Sequence, residues 1–303
     1  MRHRALTRLL AAVLCLLLSV QVFAAETVDT QRLCSLTLRY THSGQGLQDL
    51  EIALWRVGDV FADGTYALTA PYSVEIQGIT AETEWRDTAA TLSAYLTADG
   101  VRPDCTARTD ETGTVSFENL TVGLYLVRGL TVPMEKGLWQ FDDFLMFLPR
   151  NQGGTYVYDV DSHPKHAVYD TGETREYTVW KLWKDTDSGI VRPAKIHIDI
   201  HRDGVHDVSV ELSAENNWHY SWTAPAIHDF TVVERNVPEG YAVLVSENGT
   251  AFVVTNSVPE TPDIPQTGDS APVLLYILLL SLSGLGLILL GILAFRRRSH
   301  EES

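Results

Sequence analysis

The chain has 303 residues and carries 39 Asp and Glu against 23 Lys and Arg, a formal net charge of −16. A surface this acidic repels nucleic acid and anionic lipid headgroups and favours solubility, which excludes nucleic-acid binding as an expectation. The length leaves room for two domains once the targeting segments at the ends are set aside.

Arg2, His3, Arg4 and Arg8 precede the apolar run Leu9 to Val20, and small residues follow at Val22-Phe23-Ala24, so residues 1–24 read as a secretory signal peptide. Cys15 lies inside that run and is lost with it. Cys34 and Cys105 remain in an exported chain where thiols oxidise, and a disulfide between them is expected, subject to the Cα separation such a bond requires.

From Cys34 to Lys165 the pattern is mostly alternating strands broken by turns. Leu36 and Leu38 alternate with Thr37 and Arg39, Ile52 and Leu54 follow a Gly-bearing loop, and Asp63-Gly64 marks a hairpin turn. Between Thr80 and Ala98, Trp85, Ala89, Leu92 and Leu96 recur at helical spacing, with Glu82 and Glu84 in the first turn and Gly100 past the end. One helix packed over a sheet edge is predicted there. In the stretch from Thr109 to Val127, Asp110, Gly113, Val115, Phe117, Leu120, Gly123 and Tyr125 give turn, strand, turn and strand. This spacing resembles the Asp-x-x-Gly-x-Val-x-Phe-x-x-Leu-x-x-Gly-x-Tyr signature of Cna-B-type domains and Gram-positive pilins.

Tyr177 to Ser257 holds about seven further short strands at roughly ten-residue intervals, the mark of a β-sandwich. With Lys181-Leu182-Trp183, Asn216-Asn217-Trp218, Val232-Val233-Glu234, Gly240-Tyr241 and Val254-Thr255-Asn256, this stretch resembles a Cna-B domain of collagen-adhesin and pilin stalks. Pro259 to Pro265 is a short spacer. Ile264-Pro265-Gln266-Thr267-Gly268 follows, then an apolar stretch over 270–295, long enough to cross a bilayer as a helix, and a basic tail, 296–303, that stays in the cytoplasm. This order resembles the cell-wall sorting signal of Gram-positive surface proteins, with Ile264 where the family has Leu. The resemblance implies that a sortase cleaves Thr267–Gly268 and joins the Thr267 carboxyl to a peptidoglycan precursor or to a lysine of another pilin subunit.

Alternate side chains of a strand share a face. Lys181 therefore continues the apolar row Tyr177, Val179; Glu234 continues Phe230, Val232; and Asn256 continues Phe252, Val254. A buried Lys and Glu are costly unless paired or neutralised. The Cna-B resemblance implies their role: an intramolecular isopeptide bond between Lys181 and Asn256, with Glu234 as its catalytic carboxyl. The competing reading is a plain buried ion pair beside a hydrogen-bonded amide. The first domain offers Arg39 and Arg128 at the corresponding positions, so no such bond is expected there. Lys165, in Ser162-His163-Pro164-Lys165, partly matches the pilin motif whose lysine receives the next subunit, and the alternative is an ordinary interdomain lysine.

Other chemistry fails on inspection. Ser162-x-x-Lys165 lacks its companion motifs, Asp185-Thr186-Asp187-Ser188-Gly189 lacks the closing Glu of a calcium loop, and His197 and His201 share a strand face without a third ligand. No cofactor or metal is expected, and no enzyme beyond the autocatalytic bond. The fold expected is all-β: two tandem Ig-like, Cna-B-type sandwiches over 25–167 and 168–258, the first with one inserted helix, then a linker and sorting motif over 259–269 and the transmembrane helix. The function expected is a sortase-attached, cell-wall-anchored pilin or stalk protein. A host-ligand adhesin and a single-pass Ig-like receptor are the alternatives.

Overall fold

A computed structural model describes residues 27–129, 132–134, 137–169, 173–185 and 189–259, all within one compact unit that ends at Pro259. The segments expected to be signal peptide, sorting motif, membrane span and basic tail lie outside the described residues. Among those described, no helix is long and apolar enough to cross a membrane.

The expected predominance of strands holds. The first set contains β1 (Cys34–Arg39), β2 (Glu51–Val60), β3 (Tyr66–Leu68), α1 (Glu82–Ala98), β4 (Cys105–Arg108), β5 (Thr114–Leu120), β6 (Gly123–Gly129), β7 (Phe144–Leu148) and β8 (Asp159–Ser162). They form a β8-β1-β5 sheet and a β7-β6-β2-β3 sheet, with β4 also on β2. The second set contains β9 (Thr174–Lys184), β10 (Lys195–Arg202), β11 (Val205–Ser213), β12 (His219–Pro225), β13 (Phe230–Arg235), β14 (Ala242–Asn248) and β15 (Ala251–Ser257). Its sheets run β12-β9-β15-β14 and β11-β10-β13. In each set the first strand pairs in parallel with the last, β1 with β8 and β9 with β15. A small third sheet joins Val132–Met134, Gly137–Phe141 and His166–Tyr169.

Strand β6 departs from simple alternation, and the reason is packing. Tyr125 and Val127 face one core with Leu36, Leu38, Val115 and Phe117. Leu124 and Leu126 face a second core with Leu92 of α1 and with Val179, Ile198 and Val254 of the second set. A strand buried on both faces reads as a continuous apolar run, as Leu124-Tyr125-Leu126-Val127 does. The turn before β5 is held just as tightly. Gly113 has φ +77, and a Cβ there would sit 2.1 Å from the carbonyl oxygen of Tyr40, so only glycine fits.

Helix α1 lies between the two sets of sheets, and its sequence says why. Glu82 and Glu84 favour its positive N-terminal end, and Asp99 and Gly100 close it, Gly100 at φ +62. From Thr88 to Ala98 it carries no charge, and Thr88, Ala89 and every residue from Thr91 to Leu96 are buried. A helix apolar on all sides is covered on all sides. One side meets β6 and β7, the other β13 and β14.

Candidate functional site

The two sheets of the second set bring together the three polar residues that interrupt apolar rows. Lys181 stands on β9 and Asn256 on the neighbouring β15, where Lys181 is paired with Val254, two residues before Asn256. Glu234 comes from β13 in the opposite sheet, paired with Ile198. The side chains of Lys181 and Glu234 are both 0% exposed, as is Asn256, although Val233 and Thr255 beside the last two are buried as well.

Lys181 Nζ lies 3.2 Å from Glu234 Oε2, at ion-pair distance but outside hydrogen-bond angles, and it donates to the Val254 carbonyl at 3.3 Å. Asn256 Nδ2 donates to Glu234 Oε1 at 2.9 Å, which leaves Asn256 Oδ1 buried without a partner. The ammonium also sits 4.4 Å from the ring centroid of Trp183, which packs edge-on against Trp218 and Tyr241. Burial pulls the Lys181 amine down to about 8 from 10.5, and the nearby Glu234 carboxylate only partly offsets this. Burial also raises the Glu234 carboxyl above its ordinary range, against the opposing pull of Lys181 and the Asn256 hydrogen bond. Desolvation therefore moves both members of the pair toward their neutral forms. A neutral amine, a protonated carboxyl and a carboxamide within one dry pocket are the ingredients of acyl transfer onto nitrogen.

Two residues that periodicity did not single out complete the surroundings. Tyr95 of α1, 6% exposed, donates its hydroxyl to the Glu234 backbone carbonyl at 2.7 Å. Thr91, one turn earlier, accepts from the Val245 amide of β14 at 2.9 Å. The sequence signal was there in another form, the uncharged run from Thr88 to Ala98 that marks a helix buried all round.

The other sequence candidates lie apart from this pocket. Lys165 is exposed, its Nζ 3.0 Å from Glu82 Oε1, at the mouth of a cleft of about 520 Å³ lined by Trp85, Phe144, Leu145 and Pro164. Cys34 and Cys105 are free thiols, the first buried, its thiol pushed up to about 11 by that burial. Arg39 pairs with Asp161 and Arg128 donates to Thr97 of α1. His197 is exposed, but His201 is 3% exposed, so only the first is open to solvent. Among the described residues no group of three or more His, Cys, Asp or Glu could hold a metal.

This pocket defines a β-domain with a buried Lys-Glu-Asn constellation. Residues 177–257 match the family model of the Cna protein B-type domain. Comparison with curated proteins gives no match. Solved structures similar to the chain include a single B repeat unit of the collagen binding surface protein of Staphylococcus aureus, at 14% identity, covering 76% of this chain and 100% of that one, TM-score 0.26. The minor pilin GBS52 of Streptococcus agalactiae is similar at 14% identity over 77% and 99%, TM-score 0.25. The SpaE basal pilin of Lactobacillus rhamnosus GG is similar at 12% over 72% and 84%, TM-score 0.30. At these identities and TM-scores the likenesses carry no argument about function.

Proposed function

We propose that this chain is a pilus subunit or wall-anchored stalk protein, attached by a sortase through Thr267 and built of two tandem sandwiches over 25–167 and 168–258. In this reading the second sandwich is locked by an isopeptide bond from Lys181 to Asn256. The observation that carries the reading is the buried contact of Lys181, Glu234 and Asn256. The parallel pairing of first and last strands in each set supports the tandem division.

The reaction needs only these side chains. Neutral Lys181 Nζ attacks Asn256 Cγ while protonated Glu234 donates a hydrogen bond to the carboxamide oxygen. Half a turn of the amide supplies that arrangement, since its nitrogen and oxygen exchange places. Glu234 then relays one proton from Nζ to the departing Nδ2. The Nζ–Cγ bond forms, the Cγ–Nδ2 bond breaks, ammonia leaves, and Glu234 ends as it began. The product ties β9 to β15 covalently, in the direction a pulling force along the chain would separate them.

The sorting segment supplies the external attachment. Sortase would cleave Thr267–Gly268 in Ile264-Pro265-Gln266-Thr267-Gly268 and pass the Thr267 carboxyl to a peptidoglycan precursor or to another subunit. Lys165 is the acceptor proposed within this chain, with Glu82 beside its amine and the Trp85 cleft to receive an extended segment. The Cys34–Cys105 disulfide belongs to the same proposal for the exported state. Incubating the exported chain with pilus and wall sortases, then mapping cross-linked peptides, tests the attachment. A Thr267–Lys165 or Thr267–peptidoglycan junction is expected. Uncleaved chain alongside a control substrate that is processed would contradict it.

A further inference from the structure

The open side of the second set is closed by a helix that the sequence places in the first. Strand β14 is the edge of one sheet and β13 the edge of the other, so each presents unpaired backbone groups on the same side. Thr91 and Tyr95, four residues apart on one face of α1, take one group from each. Thr91 Oγ1 receives the Val245 N–H, and the Tyr95 hydroxyl reaches the Glu234 carbonyl. Between them Leu92, 0% exposed, enters the core shared with Val232, Val245 and Val254.

Lys181 and Asn256 belong to the sheet that Thr91 holds, and Glu234 to the sheet that Tyr95 holds. The spacing between the amine and the carboxyl is thus bridged by one turn of α1. Tyr95 is itself held in place: its ring packs on Tyr72 at 5.0 Å between centroids, and the Tyr72 hydroxyl donates to Asp99 at the end of the helix. Arg235, next to Glu234, bonds Asp99 and Asp199 at 2.7 Å each, which fixes the same strand from its other neighbour.

We infer that Tyr95 is a positioning residue for the Lys181–Asn256 bond, so that α1, docked from the first half of the chain, switches on the covalent locking of the second. This rests on the isopeptide reading above. Because residues 27–129 are synthesised before the second set, the helix is in place when β9 to β15 fold, and the lock closes only on a correctly docked chain.

The test follows bond formation in the newly made full-length chain, synthesised in a cell-free reaction and sampled through time by mass spectrometry of proteolytic digests. Tyr95→Phe removes one hydroxyl and keeps the ring. It is expected to slow loss of ammonia roughly three- to tenfold, the size of one neutral hydrogen bond that aligns the reacting groups. Thr88→Val, which removes a buried hydroxyl of the same helix that bonds only the Glu84 carbonyl within α1, is expected to lock at the wild-type rate. Tyr95→Phe locking as fast as wild type overturns the inference and leaves the isopeptide reading intact. Equal slowing by both variants overturns it too, since that would be general loosening of the helix. A wild-type chain that never loses ammonia overturns both.

Discussion

Replacing Glu234 by Gln keeps the volume of the side chain and leaves Lys181 and Asn256 in place, but it removes the group that relays the proton. The cross-link joins positions on β9 and β15 and closes a loop of about 75 residues, for which the chain-entropy relation gives about 4.5 kcal/mol of stabilisation. Against typical domain stabilities of about 5–15 kcal/mol, that is a large share. For a unit of this size it corresponds to a fall in Tm of about 9–18 °C. The variant also strands a Lys181 amine, fully buried, without the carboxylate that partly restores its charge, which adds a loss that grows as pH falls below 10.5. The assay is guanidinium or thermal unfolding of wild type and Glu234→Gln side by side, with intact masses taken on the same samples. Once the mass change of the substitution itself is subtracted, the variant should be heavier by one ammonia, and it should unfold at a clearly lower midpoint. Equal midpoints in two proteins that differ by that mass would refute the reasoning.

Asn256→Ala cannot form the bond and leaves Lys181 to titrate in the folded state at about 8 against 10.5 when unfolded. In that window the folded protein binds fewer protons, so stability rises with pH between about 8 and 10.5, by up to about 3 kcal/mol. The difference between this variant and the one that also carries Lys181→Met isolates the effect, because tyrosines titrate in the same range; a flat difference would contradict it. Leu92→Ala opens a cavity where α1 meets both sets of sheets and should cost about 2–5 kcal/mol, with faster amide exchange in β6 and in β13 alike. Exchange confined to β6 would contradict the shared core. In protein kept reduced, alkylation of Cys105 should precede that of Cys34, whose buried thiol is raised to about 11 and reacts only on unfolding. Equal rates under native conditions would argue otherwise.

Much of this was legible because strands obey a period of two. Lys181, Glu234 and Asn256 could be placed in the core from their positions in apolar rows, and burial confirms all three. The helix was legible from Trp85, Ala89, Leu92 and Leu96, and it runs over Glu82–Ala98. What it packs against was not, since spacing names a buried face and not its partner. The same limit explains β6, where Leu124 and Leu126 are buried because a second core covers the sheet from outside. His201 escaped as well, since alternation gives the face of a residue and not what covers that face. Tyr95 and Thr91 act through contacts with residues 139 and 154 positions away, beyond the reach of any local pattern.

The most direct measurement is tandem mass spectrometry of the protein purified from its native envelope, searched for the branched peptide that contains both Lys181 and Asn256. The account predicts that peptide as the dominant form, lighter than its two linear components by one ammonia. Linear peptides carrying unmodified Lys181 and Asn256 at full yield would contradict it, and would leave the buried pair as an ion pair beside a hydrogen-bonded amide.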